Sequence, residues 1–190
     1  QRLGLPVEWK TGYDIRDMEP YVAPGIPGGI FSTHDHQVHN RRLIDALLVS
    51  LRQHGVEVAS GIGPVSMTAA NGHVSIETSG STFTSARAVI APGADNRLLN
   101  QIDPELGHAL RPVKGQILRL DQSHFQVITH VVRTPEVYLV PKTDGTIVVG
   151  ASSEDKGFDS SVTVGEVYEL LRSARECVPA VHELPLIETR

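Results

Sequence analysis

Two stretches of the chain repeat apolar residues at helical spacing, and each predicts an amphipathic helix. Leucines recur every four residues over 41–54, between a capping residue at Asn40 and a natural helix end at Gly55. The second stretch covers 163–177, where Thr163 can cap the first turn. Its apolar face consists of Val167, Leu170, Leu171 and Ala174. The patterns predict one helix in the first half of the chain and another near its end.

Between these helices, apolar and polar residues alternate in short runs, which predicts a series of strands. Asn71 and Gly72, a pair typical of tight hairpin turns, separate the strands predicted at 65–69 and 73–78. A second hairpin has its turn at 142–145. Its strands are predicted at 137–141 and 146–150, and further strands at 56–59, 83–91, 113–120 and 127–133. Strands therefore dominate the middle of the chain.

The order of these elements indicates the fold class. Residues 1–39 are rich in proline and glycine, which predicts loop or edge structure, and the final LPLIETR reads as a strand. A helix, then many strands, then a helix is typical of an α+β protein with a mixed or antiparallel sheet. Because the chain opens at Gln1 without a start signal and closes inside a predicted strand, we expect an internal piece of a longer protein.

Composition excludes several classes of protein. The chain has 190 residues, 40% of them hydrophobic, which is ordinary for a globular domain. Its net charge is -5, and no basic cluster indicates a nucleic-acid partner. Neither a signal peptide nor an apolar run of ~20 residues points to a membrane. The single cysteine, Cys177, is expected to be a buried thiol, and we expect a cytoplasmic protein.

Three histidines provide one candidate site. His34, His36 and His39 have the spacing H-x-H-x-x-H, which resembles the zinc motif of metallo-β-lactamase-like hydrolases. The aspartate that precedes the third histidine in that family is Val38 here. The bland interpretation is a solvated loop that leads into a helix. A zinc-dependent hydrolase is therefore kept only as an alternative function.

Common phosphate-binding and nucleophile motifs do not occur in this sequence. It contains neither G-x-G-x-x-G nor G-x-x-x-x-G-K-[ST], and it has no G-x-S-x-G elbow. The glycines at 25–29 are interrupted by proline. A nucleotide whose phosphates need such a loop would have to be held partly by residues outside this chain.

Several segments together resemble the glycine oxidase (ThiO-type) branch of the D-amino-acid oxidase-like FAD-dependent oxidoreductases. The most specific likeness lies between 111 and 162, and the similarity extends over nearly the whole chain. The segments that carry it are QVHNRRLIDALLVSLRQHGVEV, ARAVIAPGAD, RPVKGQILRL, VYLVPKTDGTIVVGASSEDKGFD and ARECVPAV. They follow one another in the same order as in the family.

The resemblance implies a division into domains. Residues 36–103 would supply the helix and β-meander of a Rossmann-like FAD domain, and residues 1–35 and 104–190 would form a substrate domain with a mixed sheet. The unit with the dinucleotide fingerprint would precede Gln1. A segment with an arginine for the substrate carboxylate would follow Arg190. We therefore expect this piece alone to bind FAD poorly and to be inactive.

The resemblance also implies roles for individual residues. Tyr138 matches the tyrosine that hydrogen-bonds the substrate carboxylate, and Glu136, expected on the same strand face, could look into the site. Val65 matches a residue whose backbone contacts the adenine half of FAD. Ala91 and Gly93 match a turn packed near the cofactor. The plain alternatives are a half-buried strand aromatic for Tyr138 and an ordinary strand-end turn for Gly93.

The implied activity is FAD-dependent oxidative deamination of glycine, sarcosine, D-alanine or a similar small amine. The flavin would take a hydride from the α-carbon and reduce O₂ to hydrogen peroxide, and the imine would hydrolyse to an oxoacid and ammonia. The expected partners are the amino acid and O₂, with a homo-oligomer left open and a link to thiamine thiazole biosynthesis implied. A non-catalytic remnant of the fold that has lost its flavin is the other alternative.

Overall fold

The computed structural model describes residue 4 and residues 6–190. The part of the predicted 1–39 loop that falls on residues 1–3 and 5 therefore lies outside the described residues. Packing divides the chain into two compact units. The first comprises Gln1–Asn40, Lys114–Glu154 and Asp159–Arg190, and the second comprises Arg41–Val113 and Asp155–Phe158. The assignment of segments to a substrate domain and an FAD domain stays a prediction.

Helices and strands alternate irregularly along the described residues. In chain order they are β1 (Val7–Thr11), α1 (Gly12–Met18), β2 (Gly28–Ser32), α2 (Asn40–Gln53), β3 (Ser66–Ala70), β4 (His73–Glu77), β5 (Thr82–Ser85), α3 (Arg97–Ile102), α4 (Pro104–Ala109), β6 (Ile117–Asp121), β7 (Val132–Arg133), β8 (Tyr138–Pro141), β9 (Thr146–Gly150), α5 (Val164–Cys177), a 3₁₀ helix (Pro179–Glu183) and β10 (Leu186–Thr189). Their strand pairs are antiparallel, which confirms the α+β prediction. No helix in this part of the chain is long and apolar enough to cross a membrane.

A five-stranded sheet in the order β10-β6-β9-β8-β7 forms the centre of the first unit. Its β8–β9 hairpin is the one that the alternation predicts. Gly145 supplies the positive φ of 79° that the turn requires, and the Lys142 N–H donates to the Thr146 carbonyl at 2.7 Å. The strand predicted at the end of the chain is β10, which pairs with β6.

Helix α5 builds the hydrophobic core of this unit. Leu118, Leu139 and Val149 are fully buried at paired positions of β6, β8 and β9. Leu170 and Ala174 of α5 belong to the same core, which confirms the apolar stripe predicted for this helix. Burial of each large aliphatic side chain contributes roughly 1.5–3 kcal/mol. This face of the sheet is therefore structural.

The two ends of α5 were predicted with different success. Thr163 occupies the N-cap position, but its side chain makes no capping hydrogen bond, so that detail was wrong. Its hydroxyl accepts a hydrogen bond from Gln116 Nε2 at 3.1 Å instead. Cys177 is buried as predicted, and burial raises the pKa of its thiol. A protonated, buried thiol is a poor nucleophile.

The prediction that residues 1–39 are irregular is wrong for much of their described part, because β1 and β2 pair there and α1 lies between them. A capping box starts α1. The Asp14 N–H donates to Thr11 Oγ1 at 3.3 Å, and the Thr11 N–H donates to Asp14 Oδ2 at 2.9 Å. In β2, a Cβ at Gly28 would lie 2.6 Å from the Trp9 ring, so only glycine lets the indole cross that strand. The glycines and prolines obscured these signals.

The strand predicted at 127–133 is also wrong except for β7 at its end. Side chains, rather than a neighbouring strand, bind its backbone donors. Gln122 Oε1 accepts from the N–H groups of Val127 and Ile128 at 3.0 and 3.2 Å. The buried carboxylate of Glu19 accepts from the N–H groups of Thr129 and His130 at 2.9 and 2.6 Å.

The second unit contains the predicted Asn71-Gly72 hairpin within a three-stranded meander, β3-β4-β5. Asn71 and Gly72 both have positive φ, 53° and 75°, as a type I′ turn requires. Helix α2 matches the predicted span to one residue. Gly55 ends it with φ 68°, and the Gly55 N–H donates to the Arg52 carbonyl at 3.1 Å, which confirms the predicted helix end.

Of two further strands predicted in the second unit, one is absent from its described residues and the other is much shorter than predicted. The segment 56–59 is irregular. The strand predicted at 83–91 is observed only as β5, Thr82–Ser85. Val89 is 95% exposed. A strand exists only when a neighbour completes its backbone hydrogen bonds, and within the part of the chain that is described the segments 56–59 and 86–91 have no such neighbour.

An ionic cluster surrounds the β8–β9 turn. Asp144 Oδ1 accepts from the Thr146 hydroxyl at 2.7 Å, and Asp144 Oδ2 lies 3.3 Å from both Arg119 Nη2 and His39 Nε2. Burial alone would raise the pKa of Asp144. Hydrogen bonds from Thr146 and His39, with the charge of Arg119, outweigh burial and lower that pKa to about 2. The turn thus joins the segment before α2 to the sheet.

We expect Glu19→Ala to lower the free energy of unfolding by about 3 kcal/mol, because several donors that now reach the carboxylate would lose their acceptor. Urea unfolding of the purified protein measures this change. Glu8→Ala, which removes an exposed carboxylate, is the control and should change stability by no more than about 0.5 kcal/mol. Equal midpoints for the Glu19 and Glu8 variants would contradict the anchoring role.

We expect Asp144→Asn to lower the free energy of unfolding at neutral pH, and we expect this loss to disappear in acid. The folded pKa of Asp144, about 2, lies below the unfolded value of about 3.9. Its contribution is therefore complete above the unfolded pKa and disappears as the pH falls towards 2. Unfolding of wild type and variant between pH 6 and 2 should give a stability difference that is constant at first and narrows below about pH 4. Asp45→Asn on α2 is the control, and a difference independent of pH would refute the assignment.

Candidate functional site

The face of the first-unit sheet opposite α5 carries a row of four paired residues. Arg133 of β7 pairs with Tyr138 of β8, Tyr138 pairs with Gly150 of β9, and Gly150 pairs with Ile117 of β6. Side chains alternate between the two faces of a strand, so these residues point away from Leu139 and the core. We call them the Tyr138 row.

The Tyr138 ring lies across the backbone of Gly150. A Cβ built on Gly150 would lie 2.5 Å from Tyr138 Oη and 2.6 Å from Cζ, and 2.9 Å from the Cγ2 methyl of Ile117. Only a residue without a side chain allows this approach. Tyr138 is partly buried, and no protein group within the described chain hydrogen-bonds its hydroxyl. The phenol is therefore held in place with its O–H available to a ligand.

Glu136 does not share a strand face with Tyr138, so that part of the prediction was wrong. It lies in the turn between β7 and β8, which the Thr134 N–H closes by donating to the Val137 carbonyl at 2.8 Å. The Glu136 carboxylate accepts from the Thr134 hydroxyl at 3.1 Å, and the side chain is exposed. A contact between Glu136 and substrate stays a prediction without support from this geometry.

In the second unit, Val65 and Ala91 line the same groove, which has a volume of about 440 Å³. Its walls are mostly apolar and include Met67, Ile76 and Leu98. The sequence prediction named Val65 and Ala91 together, and the fold brings them together although 26 positions separate them. Grooves of roughly 300–1,000 Å³ with apolar walls are typical of small-molecule and cofactor sites.

Gly93 follows this groove in the turn that the Asp95 N–H closes on the Pro92 carbonyl at 3.2 Å. Its φ is 62°, a conformation that favours glycine, and no atom of the described residues beyond its chain neighbours lies within 4 Å of a Cβ built there. Glycine is thus required by backbone conformation. Contact of Val65, Ala91 and Gly93 with a cofactor stays a prediction.

The three histidines of the zinc alternative find other partners or solvent. His34 Nδ1 lies 3.0 Å from the Thr33 hydroxyl, and His39 Nε2 lies 3.3 Å from Asp144. Among residue 4 and residues 6–190, no group of three or more His, Cys, Asp or Glu side chains is arranged to hold a metal ion. The arrangement of His34, His36 and His39 therefore gives the zinc hydrolase no support.

Residues 1–189 match the family model described as DAO, FAD dependent oxidoreductase. The chain belongs to this FAD-dependent family. This membership confirms the resemblance drawn from RPVKGQILRL and YLVPKTDGTIVVG. It also confirms FAD as the expected cofactor, because the family is FAD-dependent.

Three similar proteins illustrate the relationship. The hydrogen cyanide synthase subunit HcnC of Pseudomonas aeruginosa is 32% identical over 98% of this chain and 45% of its own length. The bifunctional protein ThiO/ThiG of Nostoc sp. is 28% identical over 96% of this chain and 28% of its own. The glycine oxidase of Geobacillus kaustophilus is 30% identical over 95% of this chain and 48% of its own. The crystal structure of glycine oxidase from that organism superimposes with a TM-score of 0.87, at 26% identity, over 99% of this chain and 50% of the other.

The chain thus spans about half of the length of these relatives, or less. The groove around Val65 and Ala91 has a size and mostly apolar walls that are compatible with part of an FAD molecule. The sequence contains no G-x-G-x-x-G loop for the pyrophosphate. A complete cofactor would therefore need phosphate donors from elsewhere in a full-length protein.

Arg133 is a neighbour of Tyr138 that the site residues named from the sequence do not include. Its side chain is 62% exposed, and its Nε lies 4.0 Å from an Asp35 oxygen. Only the strand register shows that it sits directly beside Tyr138. No motif in the sequence signals this pairing, because the turn between β7 and β8 sets it.

We expect Gly150→Ala to disturb the Tyr138 row, because the added methyl group would displace the phenol or the Ile117 methyl. Such overpacking typically costs about 1–3 kcal/mol of stability. Gly165→Ala is the control, since in the described part of the chain a Cβ there would meet no atom within 4 Å outside its own helix turn, and alanine favours the helix. Thermal unfolding compares the two variants, and equal stability would show that Gly150 tolerates a side chain.

Proposed function

We propose that the full-length protein is an FAD-dependent oxidase of a small amino acid or amine such as glycine, sarcosine or D-alanine. The observation that carries this proposal is the Tyr138 phenol, which lies fixed over Gly150 with its hydroxyl free of any partner among the described residues. Similarity to glycine oxidases over nearly the whole chain supports the choice of substrate class.

When bound, FAD supplies the redox chemistry by accepting a hydride from the substrate α-carbon and passing the electrons to O₂. The residues of this chain hold and orient the substrate. Tyr138 donates its O–H to the substrate carboxylate, and a fixed carboxylate restricts the direction of the α-hydrogen. Arg133, the next residue of the row, contributes positive charge that attracts the anionic end of the substrate. The imine product then hydrolyses to an oxoacid and ammonia in water.

The groove of the second unit would hold a part of FAD remote from the reaction. Val65, whose backbone would contact the adenine half, and Ala91 both line this groove. Gly93 provides a turn without a side chain beside them. The first unit would thus bind substrate, and the second would bind part of the cofactor.

The similarity to ThiO/ThiG supports a role in supplying the thiazole ring of thiamine. The similarity to a hydrogen cyanide synthase subunit favours a second candidate function, in which the full-length protein belongs to a cyanide-forming enzyme. Products distinguish the two, since an oxidase releases ammonia and hydrogen peroxide. The proposal of an amine oxidase also includes a cytoplasmic location and O₂ as the electron acceptor.

We expect Tyr138→Phe in the full-length flavoprotein to weaken substrate binding by about 1 kcal/mol or slightly more, a value at the lower end for loss of one hydrogen bond to a charged group. This corresponds to a rise in KM of roughly five- to tenfold. Peroxide formation with glycine, sarcosine and D-alanine measures it, and Tyr168→Phe on the exposed side of α5 is the matched control.

Each outcome of this experiment has a distinct meaning. Unchanged kinetics for Tyr138→Phe would refute its role at the carboxylate. Cyanide instead of peroxide would favour the second candidate. A full-length protein that is colourless and cannot be loaded with FAD would favour the flavin-less remnant of the fold.

A further inference from the structure

The side chain of Gln116, just before β6, is 1% exposed and uses both ends of its carboxamide. Its Nε2 donates to Glu154 Oε1 at 2.7 Å and to Thr163 Oγ1 at 3.1 Å. Its Oε1 accepts from the Thr163 N–H at 2.9 Å. A buried polar group is tolerated only when it is satisfied in this way. Gln116 therefore joins two segments that lie 38 and 47 positions further along the chain.

The same position also fixes the segment that leaves β9. The Gln116 N–H donates to Ser152 Oγ at 2.8 Å, and the Ser152 N–H donates to the Gln116 carbonyl at 3.2 Å. Ser152 Oγ in turn donates to Glu154 Oε1 at 2.8 Å. Backbone bonds of 2.9 Å run in both directions between Lys114 and Glu154. The exit from β9 is thus bound to the start of β6 by backbone and side chains together.

These contacts adjoin the Tyr138 row directly. Ile117 follows Gln116, and its pairing partner Gly150 lies two residues before Ser152. The Tyr138 phenol rests on the Gly150 backbone so closely that not even one methyl group would fit between them. A shift of the β9 exit by a few tenths of an ångström would therefore move the surface that supports the phenol.

Gln116 also replaces a local cap of α5. The sequence Thr163-Val-Gly-Glu166 has the form of a capping box, in which Glu166 would accept the Thr163 N–H. Here Gln116 Oε1 accepts that N–H instead. The start of α5 is consequently coupled to the same residue that holds the β9 exit.

We propose that Gln116 is a positioning residue for Tyr138: its carboxamide holds the Gly150–Glu154 segment and thereby sets the position of the phenol that binds the substrate carboxylate. This inference rests on the proposed function for its kinetic consequence. Gln116 itself does not reach the substrate. An amide is required because one end must donate to the Glu154 carboxylate while the other accepts from Thr163.

The decisive variant is Gln116→Glu in the full-length flavoprotein, which keeps the shape but sets two carboxylates against each other at Glu154. The matched control is Gln126→Glu, because Gln126 is exposed. Adding Glu154→Gln to Gln116→Glu exchanges the amide and the acid between the two positions. This double variant should recover most of the wild-type behaviour that Gln116→Glu loses. Should Gln116→Glu fail to fold, Ser152→Ala removes two bonds of the same network with a smaller change.

One readout follows the phenol without reference to catalysis. Fluorine NMR of protein labelled with 3-fluorotyrosine identifies the Tyr138 resonance as the one that Tyr138→Phe removes. We expect Gln116→Glu to shift or broaden this resonance and Gln126→Glu to leave it unchanged. An unchanged Tyr138 resonance in a folded Gln116→Glu protein would overturn the inference, whatever the substrate is.

The second readout is binding of glycolate, which has the carboxylate of glycine without its amine, followed by flavin absorbance. We expect Gln116→Glu to raise the glycolate Kd and the substrate KM at least fivefold while kcat changes less than twofold. In a Tyr138→Phe background the same substitution should change the Kd less than twofold, because Gln116 acts through Tyr138.

The two proposals fail separately. Additive effects of Gln116→Glu and Tyr138→Phe on the glycolate Kd would overturn the positioning role while leaving an active amine oxidase intact. A wild-type flavoprotein that oxidises no small amine would instead defeat the proposed function, and the fluorine resonance would still decide whether Gln116 positions the phenol.

Discussion

The pairing of β9 with both β6 and β8 is the constraint on which the first unit depends. It places Gly150 between Ile117 and Tyr138, and the missing side chain gives the phenol a surface on which to lie. The opposite face of the same strands is filled by α5 and the buried aliphatic residues. One sheet therefore separates a packed face, which supplies stability, from a face that can carry a binding site.

Side-chain acceptors hold the irregular parts of this unit where no strand can. Glu19 and Gln122 bind the backbone of 127–130, Asp144 organises the β8–β9 turn, and Gln116 holds the exit from β9. Each of these buried or half-buried groups satisfies donors that would otherwise cost free energy when removed from water. These irregular segments of the first unit are therefore fixed by side-chain hydrogen bonds, as a preorganised binding site would require.

Under the proposed function, the two units would contribute different parts of one chemical task. Family membership makes FAD the relevant cofactor, and the apolar groove at Val65 and Ala91 suits part of such a molecule. The Tyr138 row suits a small carboxylate instead, since it combines a fixed hydroxyl with the neighbouring cation Arg133. His39, the last of the three histidines at 34–39, contributes instead to the ionic cluster around Asp144.

Local patterns in the sequence were enough for features whose causes are local. The Asn71-Gly72 and 142–145 hairpins and the two long helices were all predicted, because turn geometry and helical spacing depend on adjacent residues. Tertiary structure alone decided the rest. It placed Arg133 beside Tyr138, moved Glu136 into a turn, and replaced the strand at 127–131 by a loop bound to Glu19. The physical reason is that strand register and buried hydrogen bonds join residues far apart in sequence, and alternation within a single segment carries no information about its partner.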